Sequence, residues 1–276
     1  MKTSPIVIFN RQTYLVLACA SFVSLAGFLW PFFIHSSIIP RTTMFFWVAT
    51  VLAIFLLVMK ISNDSLDAKS IALLGVLTAV VAALRPLGAG AVGIEPMWFV
   101  LILSARVFGP SFGFILGLTS IFTSALLTGG LGPWLGYQLF AGAWIGLFAG
   151  FLPRRLRGKQ EIVILVFYSV CAALLFGLLM DLQFWPWALG LESQLSLVPG
   201  ASIATNFHRF IIFHFASSMA WDIPRAIFTS ALVTVSAPAI LSALRRTEFK
   251  AAFATPIEFL ANKESAIARA KEQRVL

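Results

Sequence analysis

Residues 126–138 read LLTGGLGPWLGYQ. Apolar sequence runs up to Leu127 and resumes at Leu139. Between them stand four glycines, one proline, one tryptophan, one tyrosine and one glutamine. Glycine and proline punctuate helices, so one helix ends here and another begins, with aromatic and amide groups held at the break. The chain around the break decides what kind of helices these are. Of its 276 residues, 59% are hydrophobic and 11% are charged, where a soluble domain carries about 25% charged residues. Lipid is the solvent this composition suits. One helical membrane unit with appendages is expected.

A membrane helix needs about 20 mostly apolar residues. Residues 14–33 supply one such run and 43–59 a second, followed by the polar break KISNDSLDAK. Further runs cover 68–85, 97–108, 111–128, 135–152 and 162–182. The last, 203–244, is interrupted at WDIPR, where Pro224 removes a backbone donor and should kink or break a helix. Taken as one net crossing, that region brings the total to eight and leaves both termini on one side. With that side in the cytoplasm, sixteen of the 20 basic residues fall inside. They include Arg154, Arg155, Arg157 and Lys159 in one polar gap, and seven from Arg245 to Arg274 at the end of the chain. Arg41, Arg85, Arg209 and Arg225 fall outside. This is the positive-inside pattern, so the net charge of +9 marks a membrane topology, with no nucleic-acid partner expected. The expected location is the cell membrane, multi-pass, with cytoplasmic termini.

Cys19 and Cys171 lie in apolar runs and read as buried thiols. The run beginning at YLVLACASF continues through Phe33, too long for a signal core, and reads as a retained helix. Between the runs ending at 108 and starting at 111 only Gly109-Pro110 remains, a tight hairpin on the inner side. The short run 97–108 starts deep, behind the loop PLGAGAVGIEP. Irregular backbone at membrane depth must be buried in protein or line a cavity. This loop, the opening stretch and the segment 183–207 share the outer side and should roof the bundle.

Small residues four apart let membrane helices approach closely. Gly142, Gly146 and Gly150 form one ridge, and Gly113 and Gly117 another, both expected to pack within the chain. Ala68, Ala72, Gly75, Ala79 and Ala83 form a third; for Ala79 and Ala83 packing inside the chain and docking of another protein are equally open.

The stretch from ALRPLGAGAVGIEPMWF to AGFLPRR, resumed at MDLQFWPW, VPGA and AWDIPRA, resembles the substrate-binding S component of energy-coupling factor (ECF) transporters, in the actinobacterial-type branch. The resemblance covers roughly 68–246. It implies an all-α integral membrane protein: a six-helix substrate-binding core at 63–246, preceded by two extra transmembrane helices in 1–62 and followed by a basic cytoplasmic tail at 247–276. It implies capture of a vitamin-like micronutrient from outside, inclining toward a cobalamin-type vitamin. It also implies docking on a membrane T component with two ATPase subunits, which hydrolyse the ATP. No cofactor belongs to this chain on that reading. In the family an Ala-x-x-x-Ala ridge on the first core helix faces the T component, and Ala79 and Ala83 match that spacing. The two extra helices stand outside the six-helix pattern.

Ionisable groups at membrane depth are expensive and read as functional candidates with a partner to be named. Glu95, Gln138, Asp181, Asn206, His208, Arg209, Asp222 and Arg225 lie on the outer half. Asp222 and Arg225, three apart, suit an ion pair, and Glu95 suits pairing with Arg85. Trp134, Tyr137, Trp185, Trp187 and Trp221 lie at the same level, as an interfacial belt or as the walls of a pocket. Trp134 and Gln138 stand at i and i+4 on one face of a starting helix. The expected substrate-binding set is therefore Trp134, Tyr137, Gln138, Glu95, Trp185, Asn206, Arg209 and Asp222. Trp30 reads as a belt residue of the extra helix. His208 and His214, six apart, do not share a helix face, and no Walker loop, Gly-x-Ser-x-Gly, His-Glu-x-x-His or Cys-x-x-Cys is present. Neither a metal site nor catalysis is expected. Two other readings stand beside the importer subunit: a self-sufficient secondary carrier, and a membrane enzyme or assembly factor acting on a lipid.

Overall fold

A computed structural model describes residues 11–33, 68–88, 92–189 and 193–252. The regular elements among them are all helical. Helix α1 spans Arg11–Leu29 and runs into a 3-10 turn at Trp30–Phe32; α2 spans Ala68–Leu84 and runs into another at Arg85–Gly88. Then follow α3 Met97–Phe108, α4 Pro110–Thr128, α5 Leu135–Phe151, α6 Lys159–Ala188, α7 Ile203–Ser217 and α8 Met219–Ala252. Four segments, Lys69–Gly88, Pro110–Thr128, Lys159–Ala188 and Met219–Thr247, are long and apolar enough to cross a membrane. The second N-terminal helix expected at 43–59 lies outside the described residues; of the tail expected at 247–276, residues 247–252 continue α8 and the rest lie outside the described residues.

Short α3 is the axis of the bundle. Of its twelve residues all but Phe99 are buried, and α2, α4, α5, α6 and α8 all pack on it. A helix apolar all round has no face to give to solvent, and here protein covers every side. Gly109 joins α3 to α4 at φ 98, a region that L side chains rarely adopt. Pro110 takes the first helical position of α4, where its missing N–H costs nothing. At the other end of α4, Gly129 adopts φ 66 and the Gly130 N–H reaches back to the Ala125 carbonyl. That is a left-handed helix stop, and the LLTGGLGPWLGYQ break is built on it.

From this stop α5 returns antiparallel to α4, and the glycine ridges meet. A Cβ on Gly146 would overlap the Gly113 carbonyl, one on Gly117 the Gly142 carbonyl, and one on Gly150 the Pro110 backbone. The two helices touch backbone to backbone. Replacing Gly146 with leucine is expected to force them apart at a cost of about 1–3 kcal/mol or more, read as a lower melting temperature in detergent. Gly75→Leu is the comparison, because nothing stands within 4 Å of a Cβ there.

Helices α7 and α8 run in one direction along α6. Asp181 of α6 meets His214 and Ser217, Gly177 lies against Asp222, and Glu161 meets Arg245. Falling numbers on α6 pair with rising numbers on α7 and α8, so 203–245 makes one passage. The break comes at Ser218, and Pro224 stays inside α8, which corrects the expected interruption at WDIPR. The break is slight: Ser218 keeps right-handed helical backbone, its N–H bonds the His214 carbonyl, and its carbonyl accepts from Trp221 and Asp222. Similarly, FWPW is the helical end of α6, not loop, with Pro186 in its last turn.

Two burial expectations are also corrected. Cys19 and Cys171 are exposed on the outside of the bundle, and Trp30 is buried against Trp187, ring centroids 6.0 Å apart. In a membrane chain both faces of a helix are apolar, so hydrophobicity alone does not choose the face that protein covers.

Candidate functional site

Charged side chains gather toward the two ends of the bundle. At one end Arg106, from the last turn of α3, is 2% exposed and lies 2.9 Å from Glu161 of α6. It also donates to the carbonyls of Leu152, Pro153 and Leu156. Glu161 accepts in addition from Arg245 of α8 at 2.6 Å. These three charges lock four segments together. Sequence reading missed this cluster; its one available signal was an acidic residue at the start of the long apolar run of α6.

The other end carries the candidate site. Arg225 of α8 bonds Asp222 at 2.5 Å and Glu95 at 3.0 Å. Its guanidinium lies over the Phe176 ring, 5.0 Å from the centroid. Asp222 is fully buried and also accepts from Ser218 at 2.6 Å. Gly177 leaves the space for its carboxylate, since any side chain there would overlap it. The indole of Trp98 donates to Glu95. Glu95 is 29% exposed, so one edge of this network is open. The expected Asp222–Arg225 pair is present. Glu95, expected to pair with Arg85, bonds Arg225 and Trp98; Arg85 donates instead to Gln138 at 2.8 Å. The reason is reach. The 3-10 turn at Arg85–Gly88 aims Arg85 at the start of α5, and Ile94 and Glu95 lie against Gly88. The Arg85–Gly88 turn still lies beside Glu95, whose backbone Gly88 meets.

Glu95, Arg85 and Gln138 thus form one accessible polar edge over the buried Asp222–Arg225 pair. Trp134 caps α5 beside it and is 45% exposed, with its ring lying over Gly132. The edge offers a guanidinium, a carboxylate oxygen and an amide, with an aromatic face next to them. Such a set can bind a ligand carrying both donors and acceptors.

The remaining expected residues are engaged elsewhere. Tyr137 is buried against α1, with its hydroxyl 3.4 Å from the Gly27 carbonyl and its ring edge-on to Phe28. Trp185 donates to the Leu195 carbonyl. Asn206 accepts from the Val198 N–H and donates to the Val198 carbonyl, both at 3.0 Å. Arg209 holds the carbonyls of Gln194 and Ser196. Trp185, Asn206 and Arg209 together fasten the 193–202 loop over the bundle end, as a roof and not as a pocket wall. A second buried pair, Asp181 with His214 at 2.9 Å, lies between the roof and Asp222. Sequence reading singled out Asp181 and missed its partner, and it missed Trp98, Ser218 and the place of Arg85 at the edge.

On the flank of the bundle, Ala72, Gly75, Ala79 and Ala83 of α2 are exposed or open, while Leu77, Thr78, Val81 and Ala82 face the core. No family model, curated protein or solved structure matches the chain.

Proposed function

We propose that the chain is the substrate-capture subunit of an ATP-driven importer of the ECF type. On this reading it takes a vitamin-like molecule at the Arg225 end and docks on a T component with two ATPases through Ala79 and Ala83. The observation that carries the reading is the polar edge of Glu95, Arg85 and Gln138 at one end of an apolar bundle, over a buried Asp222–Arg225 pair. Groups so placed are costly in lipid, and a ligand to recognise is a reason to keep them. Further support comes from the chain path. With α7 and α8 counted as one passage, residues 68–252 hold six helical segments, as the six-helix core would require, and α1 packs beside α5 and α6. The exposed basic residues Arg154, Arg155, Arg157 and Lys159 gather at the Arg106 end, which the positive-inside rule assigns to the cytoplasm. The capture site then opens outward.

The test is mass spectrometry of small molecules released from the purified full chain, followed by titration with the molecule found. Wild type is expected to release one polar compound in stoichiometric amount. Gln138→Ala is expected to weaken its binding by roughly 5- to 150-fold, the equivalent of about 1–3 kcal/mol for a ligand group left unpaired. Trp134→Ala should weaken it as well, and Phe184→Ala, exposed at the same end, should leave it unchanged. Release of no compound, or equal effects at Trp134 and Phe184, would remove the site from this edge.

A further inference from the structure

Between α1, α5 and α6 runs a cavity of about 500 Å³. It has the size of a small-molecule site, and its few polar side chains, Tyr14, Ser21 and Trp144, are engaged in hydrogen bonds. Its walls are side chains such as Phe22, Leu25, Phe148, Leu175 and Leu179, and it shares no residue with the Glu95 edge. Along α1 it extends from Tyr14 to Leu25, a rise of about 17 Å, so its shape is long, narrow and hydrocarbon. The groove is held open by polar pins: the Trp144 indole donates to Ser21 at 3.0 Å, and the Tyr14 hydroxyl lies 3.3 Å from Ser111 Oγ.

Its Arg106 end says what it holds. Phe151 closes the wall there as the last residue of α5. Arg154, Arg155 and Arg157 follow within six residues, all exposed. Whereas Arg106, Arg225 and Arg245 are tied to carboxylates, these three have no ion-pair partner among the described residues. A hydrocarbon channel whose end wall leads within six residues into three exposed arginines, unpaired among the described residues, complements one class of molecule: an acyl chain that carries an anionic head. We propose that this groove is a site for an anionic phospholipid, with one acyl chain between α1, α5 and α6 and the phosphate at Arg154, Arg155 and Arg157. Juxtamembrane arginines each contribute appreciably to holding anionic lipid, and the groove adds the chain specificity that a surface patch lacks. Because α1 forms one wall, the lipid also fastens α1 to the rest of the bundle.

The test uses the full chain in detergent, stripped of lipid and offered phosphatidylglycerol and phosphatidylcholine with identical acyl chains at equal concentration. Native mass spectrometry reads the lipid retained. Wild type should hold one phosphatidylglycerol, preferred about tenfold or more. Combined Arg154→Gln, Arg155→Gln and Arg157→Gln should abolish the preference between the two lipids. Ala18→Trp, which fills the groove, should lose both lipids; Leu147→Trp fills it from α5 and serves if the first variant does not fold. Equal retention of the two lipids by wild type overturns the proposal, as does retention unchanged in a folded groove-filling variant. So does displacement of the lipid by free inorganic phosphate, which would reduce the site to the arginines alone.

Discussion

Asp222→Ala is expected to be among the most destabilising single changes in this chain, at about 3–5 kcal/mol. The carboxylate is fully buried and holds the Arg225 guanidinium at 2.5 Å, with Ser218 on its other oxygen. Removal leaves a buried cation with only Glu95, which is itself partly in solvent. It also frees the Ser218 hydroxyl at the point where α7 gives way to α8. Thermal melting in detergent should show a large fall for Asp222→Ala, and a smaller one for Asp222→Asn, which keeps a hydrogen bond to both partners. Gly177→Ala should resemble the alanine variant, since its methyl would strike the same carboxylate. A melting temperature unchanged in Asp222→Ala would mean that the pair is not closed in the folded protein.

The second large effect is expected at the opposite end. Glu161→Ala removes the anion shared by Arg106 and Arg245, leaving two cations facing each other, one of them 2% exposed. The expected loss is again about 3–5 kcal/mol. A double variant separates charge from packing. Glu161→Ala with Arg106→Leu should recover part of the loss, because an apolar replacement of a buried pair is often neutral, although the three carbonyls of the 152–156 loop then lose their donor. If the double variant is no better than Glu161→Ala alone, Arg106 serves chiefly as a clamp on that loop.

The ends of α3 and α4 and the start of α5 were legible because they are written in glycine and proline, whereas Pro186 and Pro224 lie inside α6 and α8 and mark no end. Met97–Phe108 was read to the residue, and Gly109-Pro110 and Gly129-Gly130 gave the turns on either side of α4. Glycine ridges were legible for the same reason: a spacing of four on two adjacent runs has few uses other than close contact. Facing was not legible. Cys19, Cys171 and Trp30 all sit in apolar runs, and lipid accepts what a protein core accepts, so nothing in the pattern says which side is covered. Local ion pairs were legible and distant ones were not. Asp222 and Arg225 are one helical turn apart, which fixes them as neighbours. Arg225 and Glu95 are 130 residues apart, and their meeting depends on how α8 packs on α3. The nearer guess, Arg85, was therefore natural and incorrect. Of the expected binding residues, Glu95 and Gln138 share the polar edge, with Trp134 beside it and Asp222 beneath. Trp185, Asn206 and Arg209 had the right level in the bundle, but their polar atoms belong to the roof. Polarity at depth marks a residue as constrained; it does not say whether a ligand or a loop does the constraining.

The importer reading turns most directly on what comes with the chain out of its own membrane. The full chain, purified in mild detergent from the membrane that makes it, is assayed for ATP hydrolysis and for its partner subunits. Wild type is expected to carry a membrane subunit and two ATPase chains with measurable ATP hydrolysis. Ala79→Leu with Ala83→Leu should lose them, because bulky side chains on the open face of α2 hold a partner helix away, while the small molecule stays bound. A wild-type chain recovered without any ATPase, or a double variant that keeps its ATPase activity in full, would contradict the account.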